Sequence, residues 1–125
     1  MPTKNKYYAK IKRLKKKADT LYQQVCLKLS PNSMASGQKA EVTHHFCPKS
    51  LSNSLRYDIQ NGITLTNGEH FRHHTHFDPA IYEAFTRNKS AEWFTHIRET
   101  RKSGEITFTA KYLENKIKEL EEYGN

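Results

Sequence analysis

Seven apolar residues at the start of the chain leave little freedom in how it begins to fold. Tyr7, Ile11, Leu14, Ala18, Leu21, Val25 and Leu29 are spaced 4, 3, 4, 3, 4 and 4 residues apart, which puts them along one side of an α-helix. Pro31 cannot continue that helix and a small polar run from Asn32 to Gly37 follows, so the spacing predicts a helix ending near Leu29. Such a stripe either packs on the rest of a domain or pairs with a second copy of itself as a short coiled coil, that is, a homodimer through this helix.

The charge of the chain sits on the same segment. Lys10, Lys12, Arg13, Lys15, Lys16 and Lys17 lie between the stripe positions. Of 21 Lys and Arg and 13 Asp and Glu in 125 residues, nine basic residues and one acid (Asp19) fall in the first 30. The remainder holds twelve of each, so the net +8 belongs to the first quarter and the rest is neutral. A basic helix with one apolar stripe meets a partner helix, an anionic membrane or nucleic acid, or is simply a solvated face. The stripe is too narrow for a membrane, and no apolar run is long enough to span one. No apolar signal core follows the basic start, so no secretory signal is expected. Cys26 and Cys47 are too few for a disulfide framework and read as reduced thiols of an intracellular protein. The length predicts one domain. Seven Tyr, six Phe and one Trp argue against disorder, while 35% hydrophobic residues predict a small core.

Beyond the first helix, Lys39 to Phe46 alternates loosely and suits a strand, Pro48 to Gly62 reads as a loop, and Ile63 and Leu65 suit a second short strand. A helix is expected from Glu69 or His70 to about Thr75. Asp78-Pro79 and Ser90 are helix starts, Ser103-Gly104 is a break, and Ile106 to Phe108 is β-prone. Tyr112, Leu113, Ile117 and Leu120 mark a last amphipathic helix.

Five of the seven histidines fall within 31 residues: His44-His45 at the end of the first candidate strand, and His70, His73 and His74 on the candidate helix. Residues four apart share a helix face, so His70 and His74 can point at one ion, with His44 as a third ligand. Three ligands leave positions open on the ion. Neighbours on a strand point to opposite sides, so His44 and His45 do not ligate the same ion: one is free for proton chemistry.

The runs Glu41-Val-Thr-His-His-Phe46, LRYDIQNGITL from Leu55 to Leu65, and His70-Phe-Arg-His-His74 together resemble the HNH motif of the ββα-metal endonucleases. Asn61 follows His45 by 16 residues, His70 follows by nine more and His74 by another four. The resemblance implies an α+β fold: a small ββα-metal core over 31–78, preceded by the basic helix of 1–30 and followed by a helical part over 79–125. It implies one divalent metal ion (Mg, Mn, Ni or Zn) on His44, His70 and His74. His45 would be the general base, and Asn61 would hold the loop between the strands and orient His45. The implied activity is cutting or nicking of double-stranded DNA, and a phage or mobile element is the implied setting. His73, three residues from His70, could replace His74 as ligand; the spacing in the family favours His74, and His73 is kept as an outer or DNA-facing residue. His76 and His96 are structural or surface residues, and Arg56 and Arg72 are candidates for phosphate contact beside the cations of the first helix.

Many members of that family carry two CxxC pairs that hold a structural zinc. Here the four positions are Ser33, Ser36, Thr66 and Glu69, none a cysteine, so no zinc knuckle is expected. The function expected from the sequence is a metal-dependent endonuclease. The alternatives are a DNA-binding or assembly module without catalysis and, further off, RNA binding through the basic helix and exposed aromatics.

Overall fold

The computed structural model describes residues 4–124; residues 1–3 of the basic segment and residue 125 lie outside the described residues. In chain order the elements are helix α1 (Lys4–Leu29), strands β1 (Val42–His45) and β2 (Gly62–Leu65), and helices α2 (Asn67–His76), α3 (Pro79–Thr86), α4 (Ala91–Lys102) and α5 (Ala110–Tyr123). The fold is therefore α+β, five helices with one two-stranded antiparallel sheet among the described residues. No helix among them is long and apolar enough to cross a membrane.

The sheet is short, and its two faces go to different partners. Side chains alternate along a strand. Val42 and His44 of β1, with Ile63 and Leu65 of β2, face the side on which α2, α3 and α4 lie, where Ile81, Phe85, Trp93 and Ile97 close a core. Thr43 and His45, with Gly62, face α1: Thr43 Oγ1 donates to the Gln23 carbonyl at 3.2 Å, and His45 stacks on Tyr22. Gly62 is required at this crossing, because a Cβ there would lie 2.6 Å from Cys26 Sγ and 3.0 Å from the Tyr22 hydroxyl.

A second core forms where α5 lies on α1. Ala18, Val25, Leu113, Ile117 and Leu120 are buried there with Tyr57 and Phe108. The middle of the apolar stripe of α1 is thus packed against α5 of the same chain. Its ends depart from expectation: Tyr7 is 42% and Leu29 50% exposed, while Tyr22 and Cys26, outside the stripe, are buried. The physical reason is that α1 serves two neighbours. Its C-terminal half must cover the sheet as well as α5, so its buried face widens by the row Ala18, Tyr22, Cys26.

Local signals set most boundaries. The side chains of Asp78, Ser90 and Thr109 accept from backbone N–H groups at the starts of α3, α4 and α5. The strand expected over Lys39 to Phe46 is confined to Val42–His45, and a 3-10 turn (Ile59–Asn61) interrupts the loop expected before β2. Helix α2 starts earlier than expected, because Thr66 and Glu69 form a reciprocal capping box. Ile106 to Phe108 is not a strand. No sheet edge takes it up; Phe108 enters the α1–α5 core instead.

The four positions at which a CxxC zinc knuckle would fall are joined by hydrogen bonds. Ser33 Oγ donates to Glu69 Oε1 at 2.6 Å, and the Thr66 N–H donates to the same oxygen at 2.8 Å. The Ala35 and Ser36 N–H groups donate to Ser33 Oγ at 3.1 and 3.2 Å. Both Ser33 and Glu69 are buried. Burial pushes the Glu69 carboxyl up, but donation from Ser33, Ser36 and Thr66 outweighs it and holds the group below the ordinary carboxylate range. The turn before β1 is thereby tied to the first turn of α2.

Candidate metal centre

One residue, Thr66, separates β2 from α2, so the helix starts at the edge of the sheet. His70 and His74 sit one turn apart on α2, and β1 pairs with β2 so that His44 lies opposite Ile63. One ring nitrogen from each of His44, His70 and His74 lies within 4.8 Å of the others. The ring centroids are 5.3 Å (His44–His70), 5.0 Å (His44–His74) and 4.5 Å (His70–His74) apart. Metal–nitrogen bonds of about 2.0–2.1 Å need ligand atoms within about 3–4 Å of one another. His74 is exposed and His70 partly so, and binding would draw these side chains closer to His44.

The electrostatics suit a ligand set. His44 is held neutral far below the ordinary imidazole value, at about 3, by burial first and then by His73, His70, His74 and His45 around it. Burial, then the neighbouring imidazoles, also lowers His70. Neutral imidazole is the form that binds metal. His44 Nδ1 and His73 Nδ1 are both buried without a hydrogen-bond partner among the described residues, and coordination through Nδ1 would remove that cost at His44. The three residues therefore fit a divalent ion, and three protein ligands leave positions for water and substrate.

His45, next in the chain, goes the other way. Its ring stacks on Tyr22 at 4.9 Å and 23°, and its Nε2 lies 2.9 Å from the Arg56 carbonyl. A carbonyl only accepts, so Nε2 carries the proton and Nδ1 keeps the lone pair. Burial lowers the His45 pKa, with the Arg56 carbonyl opposing. His44, His45, His70 and His74 nevertheless line one cleft of about 500 Å3, with Gln23 and Lys49 on its rim.

Asn61 is fully buried, but its side chain does not bond His45. Oδ1 accepts from the Cys47 N–H at 2.8 Å, and Nδ2 donates to the Cys47 and Leu55 carbonyls at 3.1 Å each. It pins the end of β1 to the loop that presents the Arg56 carbonyl, and so acts on His45 at one remove. Tyr22, which the sequence reading did not single out, fixes His45 directly; its hydroxyl donates to the Asp58 carbonyl at 2.7 Å. The signal available was the four-residue spacing of Ala18, Tyr22 and Cys26.

Two expectations need correction. His73 is not an outer residue: it is partly buried, with its ring 4.9 Å from His44 and 5.4 Å from Phe85, because α3 folds back over that side of α2. The Arg56 side chain is not presented to a phosphate. Its guanidinium makes two bonds to Asp19, at 3.0 and 2.7 Å, and is 16% exposed. Arg72 is exposed on α2, His76 is exposed, and His96 pairs with Asp58 at 2.7 Å.

The α1 cations divide by direction. At about 100° per residue, Lys12 and Lys16 lie within roughly 20° of Gln23, which lines the histidine cleft. Arg13 is about 80° away, Lys15 about 80° on the opposite flank, and Lys17 and Lys10 well over 100° away. Lys10 pairs with Glu114 of α5 at 3.3 Å, and Lys15 lies 5.4 Å from the Phe108 ring centre. Comparison with protein-family models, with curated proteins and with solved structures finds no match to the chain.

Proposed function

We propose that the chain is a metal-dependent endonuclease of the HNH, ββα-metal type that hydrolyses phosphodiester bonds of DNA. The observation that carries this is the division of one histidine pair: His44 joins His70 and His74 in a ligand-like cluster, while His45 lines the same cleft with one nitrogen committed to a backbone carbonyl. His44, His70 and His74 would hold a divalent ion, which would supply stabilisation of the negative charge that develops as the phosphodiester is cleaved. His45 Nδ1 takes the proton of the attacking water, and the Arg56 carbonyl and the Tyr22 ring keep the imidazole in that tautomer and orientation. Three imidazoles suit zinc or nickel better than magnesium or manganese, which prefer oxygen ligands.

Plasmid nicking with Mg2+, Mn2+, Ni2+ or Zn2+ tests this reading. The expected result is conversion of supercoiled to open-circular DNA that requires a divalent ion and stops on chelation. DNA binding without nicking under every ion would leave a non-catalytic binding module and sink the enzyme reading.

The direction of the α1 cations gives a second expectation. With Lys12 and Lys16 replaced by alanine, the slope of log affinity for duplex DNA against log salt becomes shallower by about two. Replacing Lys10 and Lys17 changes it less, because those side chains point away from the cleft. Equal effects of the two pairs in a salt titration would refute the alignment.

A further inference from the structure

The metal centre adjoins two apolar clefts that share one wall. Phe46 and Pro48, immediately beyond His44-His45, line both. The first cleft, about 350 Å3, lies between His73 and His74 on one side and Phe77, Tyr82 and Phe85 on the other. The second, about 570 Å3, runs between Leu51 and the α4 residues Phe94 and Ile97, and ends at Arg98, Arg101 and Lys102. Their rims hold exposed large side chains: Phe77 60%, Leu51 50%, Tyr82 37% and Phe94 37%. Phe77 is the one non-glycine residue with positive φ, 42°, among the described residues. A left-handed backbone costs a phenylalanine about 1 kcal/mol or more, yet the ring it carries, 5.3 Å from that of His73, is left on the surface.

Flat apolar walls next to a phosphate-cutting centre, ending in three cations, have the chemistry of a stacking track for nucleobases. A duplex cannot use it. Its base faces are already stacked, and it presents only edges, sugars and phosphates to a protein surface. Unpaired bases have open faces that can stack on Phe77, Tyr82 and Phe94, and their phosphates are complementary in charge to Arg98, Arg101 and Lys102.

We propose that the preferred substrate is DNA with unpaired nucleotides next to the scissile phosphate, whose bases stack in these two clefts. This rests on the endonuclease reading and narrows its substrate from duplex DNA to a single-stranded, flapped or otherwise opened strand.

The test compares end-labelled oligonucleotides of one sequence as single strand, as flap on a duplex, and as blunt duplex. The single strand and the flap are expected to be cut tenfold faster than the duplex, or more. The double variant Phe77→Ala, Phe94→Ala, with its fold checked by circular dichroism, is expected to lose that preference while cutting the duplex at the unchanged rate. A duplex cut as fast as the single strand, with a ratio the double variant does not move, overturns the inference and leaves the endonuclease reading standing. If no DNA is cut, the endonuclease reading fails, and 2-aminopurine fluorescence still decides the stacking. Quenching of a labelled single strand by the protein, lost in the double variant, supports it. No quenching overturns it.

Discussion

Replacing His45 by alanine is expected to slow metal-dependent nicking by about 10²–10⁴-fold, with metal binding by isothermal titration unchanged. The separation follows from the strand geometry. His44 and His45 are adjacent on β1, so their side chains leave the sheet on opposite faces, and only His44 reaches His70 and His74. The His45 ring is instead clamped between Tyr22 and the Arg56 carbonyl. A substitution at His45 therefore removes the proposed proton acceptor without touching the His44, His70 and His74 cluster. Asn61→Ala is the informative contrast. Its three hydrogen bonds hold the Cys47 and Leu55 backbone rather than the imidazole, so thermal stability and rate are expected to fall together. In His45→Ala the rate falls far more than the melting temperature. Nicking that survives His45→Ala would assign the proton to another group.

The parts of the site legible in the sequence were those set by short-range periodicity. His70 and His74 share a face because they are four apart on a helix, and His44 and His45 diverge because they are neighbours on a strand. The helix starts at Asp78 and Ser90 were legible because the capping side chain is itself the signal. What could not be read depends on distant contacts or on backbone atoms. The flank of α1 that meets the sheet is decided by where α5 packs, some 90 residues further on, and that choice puts Tyr22 over His45. The acceptor for His45 is a main-chain carbonyl, which no residue type announces. Arg56 looked free for a phosphate because Asp19, its partner, is 37 positions away, and sequence spacing does not show which distant residue the lone acid of α1 meets. Ile106 to Phe108 has β propensity, but propensity makes a strand only where an edge is available to pair with.

Substituting Glu69 by alanine is expected to destabilise the fold by about 3 kcal/mol, a fall in melting temperature of about 10 °C for a chain this size. A buried carboxylate that accepts from Ser33 Oγ and the Thr66 N–H leaves both donors unpaired when it is removed, and the capping box of α2 goes with it. Glu69→Gln keeps an acceptor oxygen but no charge, so a loss of about 1 kcal/mol is expected. A double-mutant cycle between Ser33 and Glu69 should then return a coupling of more than about 1 kcal/mol. Single variants whose effects simply add would show that the two turns are held by something else. The consequence reaches the metal centre, because Glu69 precedes His70 and the clasp fixes the turn of α2 that carries it. Metal affinity is thus expected to weaken in Glu69→Ala although no ligand has changed. A fold held by a zinc knuckle comes apart when the metal is chelated. One held by Ser33, Thr66 and Glu69 is not tied to the metal in that way. Chelation should therefore stop nicking while the circular dichroism and the cooperative melting of the protein persist, whereas Glu69→Ala should lower the melting temperature with metal present or absent.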